Sequence, residues 1–273
     1  MYATGADSST PPLRLPALLE MKAQARKIVA ATAYDATFGA LLDRNQVDLI
    51  LVGDSLGMVV EGRANTLSVS LETMLYHTQA TARGVKRALL VADMPFGSFA
   101  DPASSFRHAA RLVGEGGAGM VKLEGAGYVL DSIHYLAERD IPVCAHLGLT
   151  PQSVHRLGGF KVQGRGQDAA ESIRRAALAV AAAGASVLVL ECIPAPLAAE
   201  ITAAVPIPTI GIGAGPDCDG QILVCYDLFG LGNGRRPRFV KNFLAGAASA
   251  DAAVAAYVAA VQSGAFPAPE HCY

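Results

Sequence analysis

The fold class of this chain is decided by the stretch Leu49-Ile50-Leu51-Val52-Gly53-Asp54, a short apolar run that ends on an acid. Three further runs end in the same way, at residues 89–93, 121–124 and 188–191. Near-continuous hydrophobicity is typical of parallel strands that are buried on both faces. We therefore interpret these segments as parallel strands whose carboxyl ends carry acidic side chains.

Apolar runs of this kind recur along the chain, with helix-like stretches between them, and this alternation is typical of repeated strand-helix units. Ser70 is a suitable cap for a helix at 71–83, and Gly184 is a suitable end for a helix at 168–183. We predict eight strands, at residues 29–33, 49–52, 88–92, 120–123, 142–145, 187–190, 208–212 and 221–224.

These elements predict a single-domain (β/α)₈ barrel at residues 13–265, with flanking helices at 16–26 and 239–263. Tails are expected at 1–12, where we predict disorder, and at 266–273. A doubly wound open sheet would produce the same alternation, but it usually carries a GxGxxG motif after the first strand. The stretch Thr32-Ala33-Tyr34-Asp35 does not resemble that motif, and the length of 273 residues suits a closed barrel.

Composition and charge narrow the class of protein. A hydrophobic fraction of 52% with 17% charged residues excludes a disordered chain. The net charge of −2 gives no electrostatic footprint for nucleic acid or an anionic membrane, so small molecules are the expected partners. The five cysteines form no CxxC pair, and no apolar stretch is long enough to span a membrane. We therefore expect a cytoplasmic protein.

The acids at the strand ends predict an active site. Catalytic groups of barrel enzymes lie at the carboxyl ends of the strands, and carboxylates that converge there repel one another unless a cation or protons offset them. Mg²⁺ typically takes one or two protein carboxylates and keeps its other positions for water and substrate. Lys122 and Glu124 are two residues apart on one strand, so both point to the same face. His146 ends the fifth run and adds a donor, although a structural histidine is the competing interpretation.

An acid after a strand is also a common helix cap or turn residue, so each acid taken alone leaves both interpretations open. Four acids at one rim favour an active site. The glycine-rich stretch at 211–215 has two interpretations as well. It could cradle a phosphate, or its glycines could let a ligand or a neighbouring backbone approach closely.

Several longer strings carry a resemblance to a known family. The strings are Val52-Gly53-Asp54-Ser55-Leu56-Gly57-Met58, Val121-Lys122-Leu123-Glu124-Gly125, His146-Leu147-Gly148-Leu149-Thr150-Pro151-Gln152, Lys161-Val162-Gln163-Gly164-Arg165 and Gly211-Ile212-Gly213-Ala214-Gly215. They closely resemble the ketopantoate hydroxymethyltransferase family, within the isocitrate lyase and phosphoenolpyruvate mutase-like barrels, and the likeness runs from about residue 33 to residue 242.

The resemblance implies transfer of a one-carbon unit from 5,10-methylenetetrahydrofolate to 3-methyl-2-oxobutanoate through a metal-stabilised enolate. The product would be 2-dehydropantoate, on the route to pantothenate and coenzyme A. The resemblance also implies one Mg²⁺ per subunit on Asp54 and Asp93, with Glu124 completing the metal site. Keto acid contacts would come from Asp54, Ser55, Asp93 and Lys122. It further implies a homo-oligomer, often a decamer.

In the same family the acid that matches Glu191 is the proton acceptor. We add two hypotheses for this chain. His146 is expected to hydrogen-bond the nascent hydroxyl of the substrate. The glycine-bearing segment 158–166 is expected to act as a flap over the folate, with Lys161 and Arg165 meeting its glutamate carboxylates.

Two departures from the family pattern, at Tyr226 and Arg238, leave the predicted metal site intact. One alternative function is a Mg²⁺-dependent 2-oxo acid lyase or mutase of the isocitrate lyase superfamily, but those enzymes typically carry a KxCGH-like loop that this sequence lacks. A non-catalytic barrel that binds a ligand is a second alternative. The complete set of Asp54, Asp93, Lys122 and Glu191 argues against it.

Overall fold

The structure is a computed structural model that describes residues 11–232 and 236–273. Its eight parallel strands form a closed barrel in which each strand pairs with its neighbours in chain order and β8 pairs with β1, as the sequence predicts. The strands are β1 (Ile28–Thr32), β2 (Leu49–Val52), β3 (Leu89–Asp93), β4 (Met120–Glu124), β5 (Val143–Gly148), β6 (Val187–Glu191), β7 (Thr209–Ile212) and β8 (Gly220–Leu223).

Helices surround this barrel and cover its apolar strands. They are α1 (Leu15–Ala23), α2 (Ala36–Arg44), α3 (Leu56–Val59), α4 (Leu71–Ala82), α5 (Pro102–Gly114), α6 (Val129–Ala137), α7 (Val154–Leu157), α8 (Gln167–Ala182), α9 (Ala195–Ala204), α10 (Cys225–Leu228) and α11 (Ala250–Gln262), with 3₁₀ turns at Pro151–Ser153 and Pro269–His271. The Ser70 hydroxyl accepts from Thr73 N, which confirms the predicted cap of α4. The stretch 213–219, which the structure describes in full, connects β7 to β8 without a helix.

Three strands extend beyond their predicted apolar cores and include the acid itself, since Asp93, Glu124 and Glu191 are the last residues of β3, β4 and β6. The main-chain ladder explains this extension, because it continues past each acid. Met94 N donates to Lys122 O at 2.9 Å, and Cys192 N donates to Ile212 O at 2.9 Å. The acids are therefore held by regular strand backbone rather than by loops.

The flanking helices are shorter than predicted. α1 ends at Ala23, and Ala25 just beyond it has a φ of 53°, outside the helical region. At the other end the predicted helix 239–263 is correct only from Ala250 onward. The Asn242 carboxamide oxygen accepts from Leu244 N and Ala245 N, which forms a local turn in place of helix. Ser249 then caps α11 by accepting from Ala252 N.

The C-terminal segment packs on the barrel. The Tyr257 hydroxyl on α11 donates to Ala30 O at 2.7 Å, and Phe266 is buried against the same tyrosine. At the end of β7, a side chain at Gly213 would meet the rings of Phe239 and Tyr273 at about 3 Å. This contact favours the packing interpretation of the glycine-rich stretch. Residues 1–10 of the predicted N-terminal tail lie outside the described residues.

Candidate active site

Strand register brings the predicted site residues side by side at one rim of the barrel. Asp93 on β3 pairs with Lys122 on β4, Glu124 pairs with His146 on β5, and Gly148 pairs with Glu191 on β6. Asp54 follows the end of β2, and its main-chain N–H donates to Asp93 Oδ2 at 2.9 Å. Five neighbouring strands therefore contribute to one continuous ring of charged groups.

Lys122 is the cation at the centre of this ring. Its Nζ lies 2.9 Å from Asp93 Oδ1 and 3.7 Å from Glu124 Oε1. Burial lowers the pKa of Lys122, but the nearby carboxylates of Asp93, Glu124 and Asp54 outweigh that effect and hold it above its ordinary value. The ammonium is therefore charged at every pH at which the protein would be assayed.

His146 connects the ring to Glu191. Its Nδ1 lies 3.3 Å from Glu124 Oε1, and its Nε2 lies 3.2 Å from Glu191 Oε2. Burial and the charge of Lys122 lower the pKa of His146, whereas contacts with Glu124 and Glu191 raise it, and the net result is a pKa of about 9. An imidazolium therefore lies between the two acids at neutral pH. The 3.2 Å approach of Lys122 Nζ to Nδ1 is then a like-charge contact that the carboxylates offset.

The pKa values of the buried carboxyl groups are shifted in opposite directions. Burial raises the pKa of Asp54 well above its ordinary value, and the charges of Asp93 and Glu124 raise it further. Burial also raises the pKa of Asp93, although Lys122 limits the effect. Burial raises the pKa of Glu124 too, but the contact with His146 and the charge of Lys122 reverse this, so that its pKa is lowered. Negative charge is thus least favourable at Asp54 and Asp93.

Glu191 differs from the other acids in exposure. It is half-buried, whereas Asp54, Asp93 and Glu124 are buried. Gly148 on the neighbouring strand makes this position possible, because its φ is 94° and a Cβ there would lie 2.2 Å from Glu191 O. Glu191 therefore stands at the mouth of the barrel, where a molecule entering from solvent can reach it.

Ser55 lies beside the ring and belongs to a chain of hydroxyl groups. The Tyr34 hydroxyl accepts from Thr32 Oγ1 at 2.9 Å and shares a 2.9 Å hydrogen bond with Ser55 Oγ. Tyr34 is buried, and burial raises the pKa of its phenol well above the ordinary value. The tyrosine is therefore a neutral support for Ser55.

The predicted flap residues are placed differently. Lys161 and Arg165 are exposed on the loop after α7 and are not part of the charged ring. This loop is tied to the barrel by Gln163 N, which donates to Cys192 O at 2.9 Å, directly after Glu191. The structure thus brings the loop, though not its two cationic side chains, next to the half-buried acid.

A sequence model described as ketopantoate hydroxymethyltransferase matches residues 12–269 of the chain. The chain belongs to this family. A 3-methyl-2-oxobutanoate hydroxymethyltransferase of Stenotrophomonas maltophilia is 59% identical over 272 residues, covering 99% of each chain. A protein of the same name from Azoarcus sp. is 55% identical and covers 96% of this chain and 97% of that one. The predicted family is confirmed.

Solved structures with the same fold are more distant in sequence. A phosphonopyruvate hydrolase crystallised with oxalate and Mg²⁺ superposes with a TM-score of 0.59 at 15% identity, covering 77% of this chain and 80% of that one. A phosphoenolpyruvate phosphomutase from Streptomyces platensis gives 0.60 at 14% identity, covering 80% and 83%. At such low identity the likeness of this ketopantoate hydroxymethyltransferase family member to those structures concerns the fold alone.

The charges of the ring suit a divalent cation. Four carboxyl groups face only two cationic groups, Lys122 and His146, and the raised pKa values of Asp54 and Asp93 indicate that negative charge at these two acids is not fully offset. Within residues 11–232 and 236–273, no group of three His, Cys, Asp or Glu side chains is already arranged as a set of metal ligands. Oxygen donors from only one or two carboxylates, with water completing the shell, are the usual arrangement for Mg²⁺. Asp54 and Asp93 therefore fit as a pair of direct ligands.

The structure adds a residue for which the sequence predicted no role. Gln152 follows Pro151 at the first turn after β5, and its side chain reaches Asp54 on the opposite side of the ring. It belongs to the string that resembles the family, but nothing in the local sequence pattern shows that it faces the site.

No helix in the described part of the chain is long and apolar enough to cross a membrane.

Proposed function

We propose that this protein transfers a one-carbon unit from 5,10-methylenetetrahydrofolate to 3-methyl-2-oxobutanoate and so forms 2-dehydropantoate. The observation that carries the proposal is the unbroken ring from Asp54 through Lys122 and His146 to Glu191 at the carboxyl end of the barrel. Membership of the family and the names of its relatives support this choice of substrate.

Asp54 and Asp93 would hold Mg²⁺, with Glu124 beside them as an outer support. The ion would act as a Lewis acid on the ketone of the 2-oxo acid and make the neighbouring C3 proton more acidic. Ser55, supported by Tyr34, and Lys122 would bind the substrate's oxygens. The charged ammonium of Lys122 would help to stabilise negative charge that develops on the ketone oxygen.

Glu191 is the proposed base. It is the acid of the ring with the greatest exposure, and a half-buried carboxylate at the mouth can meet the C3 proton of a substrate bound deeper in the barrel. Removal of that proton would leave a nucleophilic C3, which forms the new C–C bond to the methylene carbon of the folate. Both C–N bonds of that carbon break, water supplies the oxygen of the new hydroxyl, and tetrahydrofolate leaves. His146, which faces Glu191 through Nε2, would donate a hydrogen bond to the new hydroxyl.

The loop at 158–166 is proposed to close over the folate. The hydrogen bond from Gln163 N to Cys192 O holds the loop next to Glu191, which supports this proposal. Lys161 and Arg165 are exposed, so their side chains can turn toward the glutamate carboxylates of the folate. A Lys161→Ala, Arg165→Ala variant should raise the KM for the folate and leave the KM for the keto acid unchanged. An unchanged KM for the folate would remove these residues from the proposal.

One assay tests the reaction. The protein is mixed with 3-methyl-2-oxobutanoate, methylenetetrahydrofolate and Mg²⁺, and 2-dehydropantoate is followed with and without EDTA. We expect product that chelation abolishes and that added Mg²⁺ restores. Absence of product, or product insensitive to EDTA, contradicts the proposal. Light scattering would test the proposed homo-oligomer, for which a decamer is the family expectation, and fractionation would test the cytoplasmic location.

A further inference from the structure

Gln152 connects three strand ends of the charged ring. Its main-chain N–H donates to Glu124 Oε2 at 2.9 Å. Its side-chain Nε2 donates to Asp54 Oδ2 at 2.8 Å and to Met94 O, just after β3, at 3.0 Å. The residue is buried, with 8% of its surface exposed. One glutamine therefore contacts groups that follow or end β2, β3 and β4.

The orientation of the carboxamide follows from its partners. Met94 O can only accept a hydrogen bond, so the amino end of the side chain must face it and, with it, Asp54. The opposite atom, Oε1, is buried and has no hydrogen-bond partner among the described residues. A buried acceptor without a partner is costly, and it is usually explained by a ligand or an ordered water. Gln152 thus presents an open acceptor inside the site.

Each carboxylate that Gln152 contacts has one oxygen bonded to it. Asp54 uses Oδ2 and Glu124 uses Oε2 for Gln152, while Glu124 Oε1 faces His146 Nδ1 at 3.3 Å and Lys122 Nζ at 3.7 Å. A carboxylate held at one oxygen cannot rotate freely, so its second oxygen keeps a fixed direction. Such supporting contacts orient metal ligands, and the loss of one typically weakens metal binding about 10–100-fold.

We infer that Gln152 is a positioning residue that holds Asp54, through its side chain, and Glu124, through its main chain, in the orientation that binds a divalent cation. The inference rests on the proposed Mg²⁺ site and adds a residue to it. Its side-chain and main-chain contributions are separable, because a substitution removes the bond to Asp54 and leaves the N–H bond to Glu124 in place.

The test is Mg²⁺ binding to the metal-free protein, measured by calorimetry. Gln152→Leu has a similar volume and lacks the donor, and we expect its Kd for Mg²⁺ to rise about 10–100-fold, the usual effect of removing a supporting contact. Gln152→Asn keeps the amide on a shorter side chain and should weaken binding in the same direction. It also gives an answer should the leucine variant not fold. Gln79→Leu is the matched control, because it removes an amide donor to Glu115 O on the outer helices.

Thermal unfolding without metal separates positioning from a merely structural role. Positioning predicts that Gln152→Leu keeps a metal-free Tm near that of the wild type but loses most of the Tm increase caused by Mg²⁺. A lowered metal-free Tm with a Kd for Mg²⁺ within twofold of the wild type would overturn the inference. Wild-type protein that binds no Mg²⁺ would instead count against the proposed function itself.

Discussion

Removing the central cation of the ring should destabilise the protein strongly. Lys122 is only 4% exposed and lies between the carboxylates of Asp93 and Glu124, which are 3% and 6% exposed. Lys122→Met would leave these buried acids facing each other with His146 as the remaining cationic partner. Breaking a buried pair by removing one partner typically costs about 3–5 kcal/mol, because the other charge is left uncompensated. For a chain of this size, that loss corresponds to a fall in Tm on the order of 10 °C.

The loss should depend on pH and on metal. The pKa values of Asp54 and Asp93 are higher in the folded protein than in the unfolded chain. Their protonated forms therefore stabilise the fold fully at a pH below the unfolded-state pKa values, and this stabilisation is lost as pH rises through the folded-state pKa values. Removal of Lys122 would raise both values further. The deficit of Lys122→Met relative to wild type should therefore be largest at pH 8 and shrink toward pH 5. Mg²⁺ should restore part of the stability at pH 8.

Circular dichroism is the suitable assay, because the chain contains no tryptophan to report unfolding by fluorescence. Lys22→Met is the matched control, since Lys22 pairs with Asp219 at 2.7 Å away from the ring and is more exposed. Its effect should be smaller than that of Lys122→Met, because Asp219 keeps its hydrogen bonds from Thr209, and it should not respond to Mg²⁺. A Tm for Lys122→Met within 2 °C, roughly 1 kcal/mol, of wild type at pH 8 without metal would refute the reasoning.

Three further outcomes are expected. Glu191→Gln should keep its affinity for Mg²⁺ and lose turnover by about 100-fold or more, and high kcat would reassign the base. Gly148→Ala should lower both Tm and kcat, because φ is 94° and the new Cβ would meet Glu191 O, whereas Gly264→Ala, with φ 74° and open space, should cost about 1 kcal/mol and keep full kcat. Burial raises the pKa of Asp227 to about 6, so ionisation of this acid destabilises the fold as pH rises from about 4 to above 6. Asp227→Asn should therefore raise the free energy of unfolding at pH 8 by up to about 3 kcal/mol, with a higher Tm, and change it little at pH 4. An equal effect at both pH values would contradict this.

Much of the site was predictable because burial and position along a strand are local properties. Most strands are near-continuous apolar runs, and the residue after such a run lies at the carboxyl end of the barrel. Asp54, Asp93, Glu124 and Glu191 could therefore be assigned to one rim before any contact was known. The length of the C-terminal helix could not be predicted in the same way. The first part of the predicted helix, from residue 239, contains alanine and phenylalanine, which helices tolerate. In the structure, the turn that Asn242 forms takes the place of a helix there.

The sequence by itself determined that there are eight buried strands, that acids end four of the apolar runs, and which family the motifs resemble. The alternation with helices that it predicted holds except between β7 and β8, which the structure connects without a helix. Only the tertiary structure decided which charges touch, because register sets Asp93 against Lys122 and Glu124 against His146. It also revealed Gln152, whose side chain meets Asp54 across 98 positions of the chain. Such contacts leave no periodic signal, since they depend on how side chains pack once the barrel has closed.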